Sequence, residues 1–163
     1  MIILVQERKD VRERALALFS GRVRRAIGLR GEVNILLTSN RELRQLNRRF
    51  RNKDKPTDVL SFPADKPNFA GDIAISVNIG SSNAREFGHP LETELKILIL
   101  HGLLHLAGHD HECDNGEMQA LEAKLREKFN LPVGLIDRSE SSSRPSRKSP
   151  KRSIAAAPAG RRR

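Results

Sequence analysis

The stretch His101-Gly-Leu-Leu-His105-Leu-Ala-Gly108-His-Asp-His111 closes an apolar run that begins at Ile97, and it leaves the chain few ways to fold. Residues 97 to 107 are apolar almost all round, which predicts a buried helix. Pro90 starts it, with Glu92 and Glu94 at the positive end of the dipole, and Gly108 ends it. His101 and His105 lie four apart, so their imidazoles leave one face of that helix a turn apart and can share an ion. Gly108 can take the left-handed conformation that turns the chain back and presents His111 as a third ligand. A single histidine near a core is more often a satisfied core residue than a ligand. Burying two unliganded imidazoles on this helix is costly, and three of the chain's five histidines share the pattern. Three imidazoles that leave a fourth position for water make the arrangement of a catalytic zinc. The expectation is one zinc per chain on His101, His105 and His111, although imidazole also suits nickel, copper and iron.

The spacing is that of the metzincin proteases, whose general base is a glutamate directly after the first histidine. Here that position is Gly102, which argues against a zinc metallopeptidase, although Asp110, Glu112 and Glu117 stand nearby in sequence. The other alternative is a non-catalytic RNA-binding protein whose zinc only stabilises the fold. Cys113 reads as incidental, and His89, before Pro90, as a loop or cap residue with no role.

A second constellation, Phe50-Arg51-Asn-Lys53-Asp-Lys55-Pro-Thr-Asp-Val-Leu-Ser61-Phe62-Pro63, delivers cations from the end of a basic helix into a loop. A guanidinium can fork onto two phosphate oxygens, so Arg51 is the candidate phosphate holder, with Lys53, Lys55 and Arg48 as further substrate-binding residues. The charge distribution agrees. Residues 1 to 55 carry a net +9 and residues 138 to 163 a net +8, flanking a central −7. Two basic segments imply a polyanion partner such as nucleic acid.

The rest of the chain supplies a scaffold. Strands are expected at residues 2 to 6, 32 to 37, 59 to 62 and 72 to 76, from runs of branched residues and from Val33, Ile35 and Leu37 on one side of an alternation. A helix over 10 to 27 is predicted to bury Val11, Ala15, Leu18 and Phe19. A capping box, Ser39-Asn-Arg-Glu42, opens a helix with Leu43, Leu46 and Phe50 as its buried stripe. Asp114 and Glu117 open another, with Met118, Leu121, Leu125 and Phe129 on one face. The Ser-, Pro- and Arg-rich segment 138 to 163 has too little apolar surface to offset its ordering entropy and is expected to be a disordered basic tail after a domain over 1 to 137. Charge at Glu7, Arg8 and Lys9 argues against a signal peptide, one cysteine allows no internal disulfide, and no apolar run approaches a membrane span. A cytoplasmic location without membrane contact is the default expectation.

Taken together, Leu46-Asn-Arg-Arg-Phe50-Arg51, Lys55-Pro-Thr-Asp-Val-Leu-Ser-Phe-Pro63, Gly71-Asp72-Ile73 and the histidine motif resemble the YbeY family of bacterial endoribonucleases. The resemblance covers roughly residues 1 to 135. It implies a single α+β domain with a small mixed β-sheet against helices, zinc on His101, His105 and His111, and a functional arginine at Arg51. It also implies single-strand-acting, zinc-dependent cleavage in ribosomal RNA maturation, and partnership with the small ribosomal subunit and its assembly factors. Two features depart from the family pattern: His109 stands where tyrosine is usual, and the basic tail has no counterpart.

Overall fold

The computed structural model describes residues 2–4, 10–111 and 113–132, with β1 described by its backbone alone; the basic segment 138 to 163, Val5, Gln6 and Glu112 lie outside them. In chain order the elements are β1 (Ile2–Leu4), α1 (Glu13–Ala26), β2 (Glu32–Thr38), α2 (Asn40–Arg51), β3 (Val59–Lys66), β4 (Phe69–Ser76), α3 (Val77–Glu86), α4 (Leu91–Leu106) and α5 (Glu117–Lys128). The strands form one mixed sheet in the order β1-β2-β4-β3, parallel except for the antiparallel β3–β4 pair. This is the α+β architecture anticipated from the sequence.

The alternation of the strands divides the sheet into two faces. Val33, Ile35 and Leu37 of β2 and Ile73 and Ile75 of β4 join the main core with Leu16, Phe19 and Val23 of α1 and Leu95, Leu98, Ile99 and Leu103 of α4. The other face carries a small cluster of Leu43, Leu60 and Ala74, roofed by α2. α4 is buried nearly all round, as its composition requires. Its first turn is tied at the surface by Glu92, which accepts from Arg12 and Lys96 at 2.7 Å each. Inside, the fully buried Glu94 meets Asn83 Nδ2 at 3.2 Å and His89 Nε2 at 3.1 Å, so His89 is part of a buried polar connection and not a simple cap.

Four expectations change. In α1 the buried stripe is Leu16, Phe19, Ser20 and Val23, at i, i+3, i+4 and i+7, and Leu18 is 62% exposed because it falls on the opposite side. In α2, Leu43 is buried but Phe50 is 57% exposed, its ring meeting only the edge of Phe62 on β3 at 5.3 Å between centroids. β3 and β4 are longer than predicted and meet in a hairpin around Pro67-Asn68, where Asn68 takes φ 61°. The added length of β3 includes Pro63, since an edge strand can spare an N–H. Finally, α3 has no counterpart in the sequence reading. Ser76 caps it by accepting from Ile79 N at 3.2 Å, and its buried Gly80 faces Leu95 and Leu98 of α4.

Candidate metal centre

α4 ends as its sequence dictates. Gly108 takes φ 91°, its N–H donates to His105 O at 3.0 Å, and His109 N donates to Leu104 O at 3.1 Å. The returning turn is stabilised by Asp114, whose carboxylate accepts from Gly116 N at 2.8 Å and, in the first turn of α5, from Met118 N at 2.9 Å. Asp114 therefore caps the α5 start as anticipated, but the helix proper begins three residues later, after a left-handed Gly116.

This path brings His101, His105 and His111 together. One ring nitrogen from each lies within 4.8 Å of the other two, close enough to share one ion. His101 is buried and the other two are half-buried. His105 Nε2 faces His101 Nε2 at 3.1 Å, and the three ring centroids are 4.7 to 5.5 Å apart. His111 Nδ1 is buried with no hydrogen-bond partner among the described residues. Burial, reinforced by the two neighbouring imidazoles, pushes His105 down to about 4, so it is neutral near pH 7 and has a lone pair to offer. Three imidazoles facing one another, with the buried His111 Nδ1 left without a partner among the described residues, fit a borderline-soft divalent ion such as zinc. His109 and the exposed Cys113 stand outside this group.

The sequence reading missed the residue that orients the group. His101 Nδ1 meets Glu122 Oε2 at 3.0 Å, and Glu122 is only 2% exposed on α5. A carboxylate that accepts from Nδ1–H fixes the tautomer that leaves Nε2 free for a metal. The available signal was an acid between Met118, Leu121 and Leu125 on the apolar face of α5, a place where a carboxylate persists only with a partner. Replacing Glu122 with Gln keeps the shape but weakens the acceptor, and the affinity of the three-imidazole group for a divalent metal is expected to fall roughly 10- to 100-fold. Chelator competition measures that shift, and an unchanged affinity would show that Glu122 serves packing alone.

Asp58 of the Pro-Thr-Asp motif also approaches the cluster. Burial holds its carboxyl above the ordinary range, while hydrogen bonds from backbone N–H groups, that of Val59 at 2.9 Å among them, and the nearby His101 pull the other way. Ser61, three residues on, donates to Gly102 O at 3.1 Å and so clamps β3 onto the ligand-bearing turn of α4. Gly102 itself faces this strand pair. A Cβ there would lie 2.9 Å from Ile73 Cγ2 and 3.2 Å from Ser61 Oγ, so the position where a metzincin carries its base is filled by the sheet.

The basic residues lie on the surface. Arg48, Arg51, Lys53 and Lys55 are all exposed at the end of α2 and in the loop that follows. That loop is held in place by Asn47, whose Nδ2 donates to Lys55 O at 2.9 Å and whose carbonyl accepts from Lys53 N at 3.4 Å. Arg44, on the same helix, is engaged by Asp54 through two bonds of 2.8 and 3.1 Å.

Comparison with known proteins gives a consistent result. The family model described as Endoribonuclease YbeY matches residues 4–130. A protein named Endoribonuclease YbeY from Koribacter versatilis is 59% identical over 93% of this chain and 98% of its own length. One of the same name from Solibacter usitatus is 49% identical over 80% of this chain and 88% of its own length. The solution structure of TM1509 from Thermotoga maritima is similar with a TM-score of 0.55 at 32% identity, covering 92% of this chain and 100% of that one.

Proposed function

The chain belongs to the endoribonuclease YbeY family, and from that premise we propose that it is a zinc-dependent endoribonuclease that cuts single-stranded segments of ribosomal RNA during maturation or quality control of the small subunit. The observation that carries this reading is the three-imidazole group on α4 and its following turn, oriented by Glu122. The activity comes from the names of the relatives, and the ribosomal substrate and assembly-factor partners from the family resemblance together with the basic segments. No helix among the described residues is long and apolar enough to cross a membrane.

In this mechanism His101, His105 and His111 hold one ion per chain, and Glu122 keeps the His101 proton on Nδ1. When bound, zinc supplies Lewis-acid chemistry, polarising the phosphodiester and lowering the pKa of water. Arg51 holds the phosphate and opposes the charge that develops on it, while Arg48, Lys53 and Lys55 position the backbone. An RNA strand brings its own 2′-hydroxyl, so less proton chemistry has to come from the protein than an amide would demand. The segment 138 to 163, with nine Lys/Arg against one acid, adds affinity that is independent of sequence, and residues 1 to 137 form the catalytic domain.

Comparing binding with turnover tests the assignment of the cations. Arg51→Ala is expected to lower cleavage roughly 100-fold, as loss of one donor to a developing charge does, while binding weakens much less. Neutralising Arg48, Lys53 and Lys55 together is expected instead to flatten the salt dependence of RNA affinity, by a log–log slope of about 2 for three cations on a single strand. Equal loss of binding and turnover from both sets would remove the distinction.

A further inference from the structure

The face of the sheet opposite α4 is only partly roofed. Asn34 and Leu36 of β2, Leu60 and Phe62 of β3, and Asp72 and Ala74 of β4 alternate toward α2, which buries Leu43 and leaves Leu36, Leu46 and Phe62 partly open. Between α2 and the strands lies a groove of about 400 Å³, lined by Asn34, Leu36, Leu46, Phe50, Phe62 and Asp72 among others. Phe50 and Phe62 meet edge-on across it, with centroids 5.3 Å apart and planes at 68°. At the polar end Asn34 Nδ2 donates to Asp72 Oδ1 at 3.0 Å.

The surroundings select the occupant. Arg49 sits 5.2 Å from the Phe50 centroid, and Arg48, Arg51, Lys53 and Lys55 are all exposed on the same helix end and loop. An apolar helix laid here would bring those cations against its own apolar flank. A nucleic-acid strand brings a flat π face for the aromatic wall and phosphates for the cations. Arg51 follows Phe50 directly in the chain, so a base resting on Phe50 places its neighbouring phosphate beside the residue assigned to hold one.

We propose that this groove is a stacking subsite for one unpaired base of the RNA strand, with Phe50 as the platform, Phe62 as the side wall and the Asn34–Asp72 pair meeting the base edge. The subsite deepens the endoribonuclease reading and rests on it. It also accounts for a phenylalanine left exposed beside an arginine-rich surface.

The test compares a short unstructured 2′-O-methyl RNA oligomer with an abasic oligomer of equal length, by fluorescence anisotropy at fixed salt. Phe50→Ala is expected to weaken binding of the base-bearing oligomer about ten-fold, in the range of stacking one base, and to leave the abasic oligomer unaffected. Phe50→Trp is expected to keep or tighten binding, and zinc content and melting temperature should match the unmodified protein in both variants. Equal affinity of Phe50→Ala and the unmodified protein for the base-bearing oligomer would overturn the subsite while leaving the RNA reading intact. Failure of the unmodified protein to bind either oligomer would overturn both. Self-association that disappears in Phe50→Ala, with RNA affinity unchanged, would assign the face to a second copy of the chain instead.

Discussion

Replacing His101 and His105 together with Ala is expected to reduce zinc from about one ion per chain to almost none and to abolish RNA cleavage. The variant removes two of three donors, and the remaining imidazole of His111 is a weak monodentate ligand. Two losses of stability should combine. Zinc that binds the native state at 1,000 times its dissociation constant contributes about 4 kcal/mol, all of which disappears. Independently of metal, the Glu122 carboxylate, 2% exposed, loses its 3.0 Å contact with His101, a cost of about 1–3 kcal/mol for a buried group. Adding Glu122→Gln to the double variant should therefore recover part of the metal-free loss. Metal analysis with thermal unfolding, with and without chelator, separates the two contributions. Full zinc occupancy in the double variant would sink the assignment of the ligands.

Gly102→Glu is expected to prevent folding, and the reason decides between two readings of the motif. If Gly102 were merely a metzincin glutamate lost from an otherwise open cleft, restoring the side chain would be tolerated. The structure places that position against Ile73 and Ser61, where even a methyl group comes within 2.9 Å of a fully buried side chain. Gly102→Ala gains about 1 kcal/mol in helix propensity and loses about 1–3 kcal/mol to overpacking, so a modest net loss is expected. A glutamate adds more volume and an unpaired charge in the core, which costs several kcal/mol more. That sum is comparable to the whole stability of an ordinary domain. Soluble, cooperatively folding Gly102→Glu protein would show that the helix and sheet are less closely packed here than a 2.9 Å approach to Ile73 requires.

The parts of the molecule that were legible in the sequence are those where one residue type leaves one physical option. α4 could be read because an almost wholly apolar segment must be buried, and Gly108 because a helix carrying ligands has to turn before it can present His111. The hidden parts depend on partners distant in the chain. α3 buries Val77, Gly80 and Ala84, which give only a faint periodic signal, and it is the packing against α4 that fixes the helix. Phe50 keeps perfect helical spacing with Leu43 and Leu46, yet it lies exposed at the rim of a groove beside Phe62 of β3, which spacing along one helix does not reveal. Glu122 sits 21 positions from the histidine that it orients, so only the fold pairs them. The strand expected to end at residue 62 runs on through Pro63, because only the fold shows that it is an edge.

The most direct test of the central claim is a paired cleavage assay with protein of measured metal content. Unstructured RNA, DNA of the same sequence and an unstructured polypeptide are each incubated with the unmodified protein, with the metal-stripped and zinc-reloaded protein, and with His105→Ala as a control for contaminating nuclease. The account predicts that RNA alone is cut, that cutting is lost on stripping and restored by reloading, and that His105→Ala is inactive. Zinc-dependent cleavage of the polypeptide with RNA left intact would contradict it in favour of a metallopeptidase, and full zinc with no cleavage of any substrate in favour of a structural ion in an RNA-binding protein.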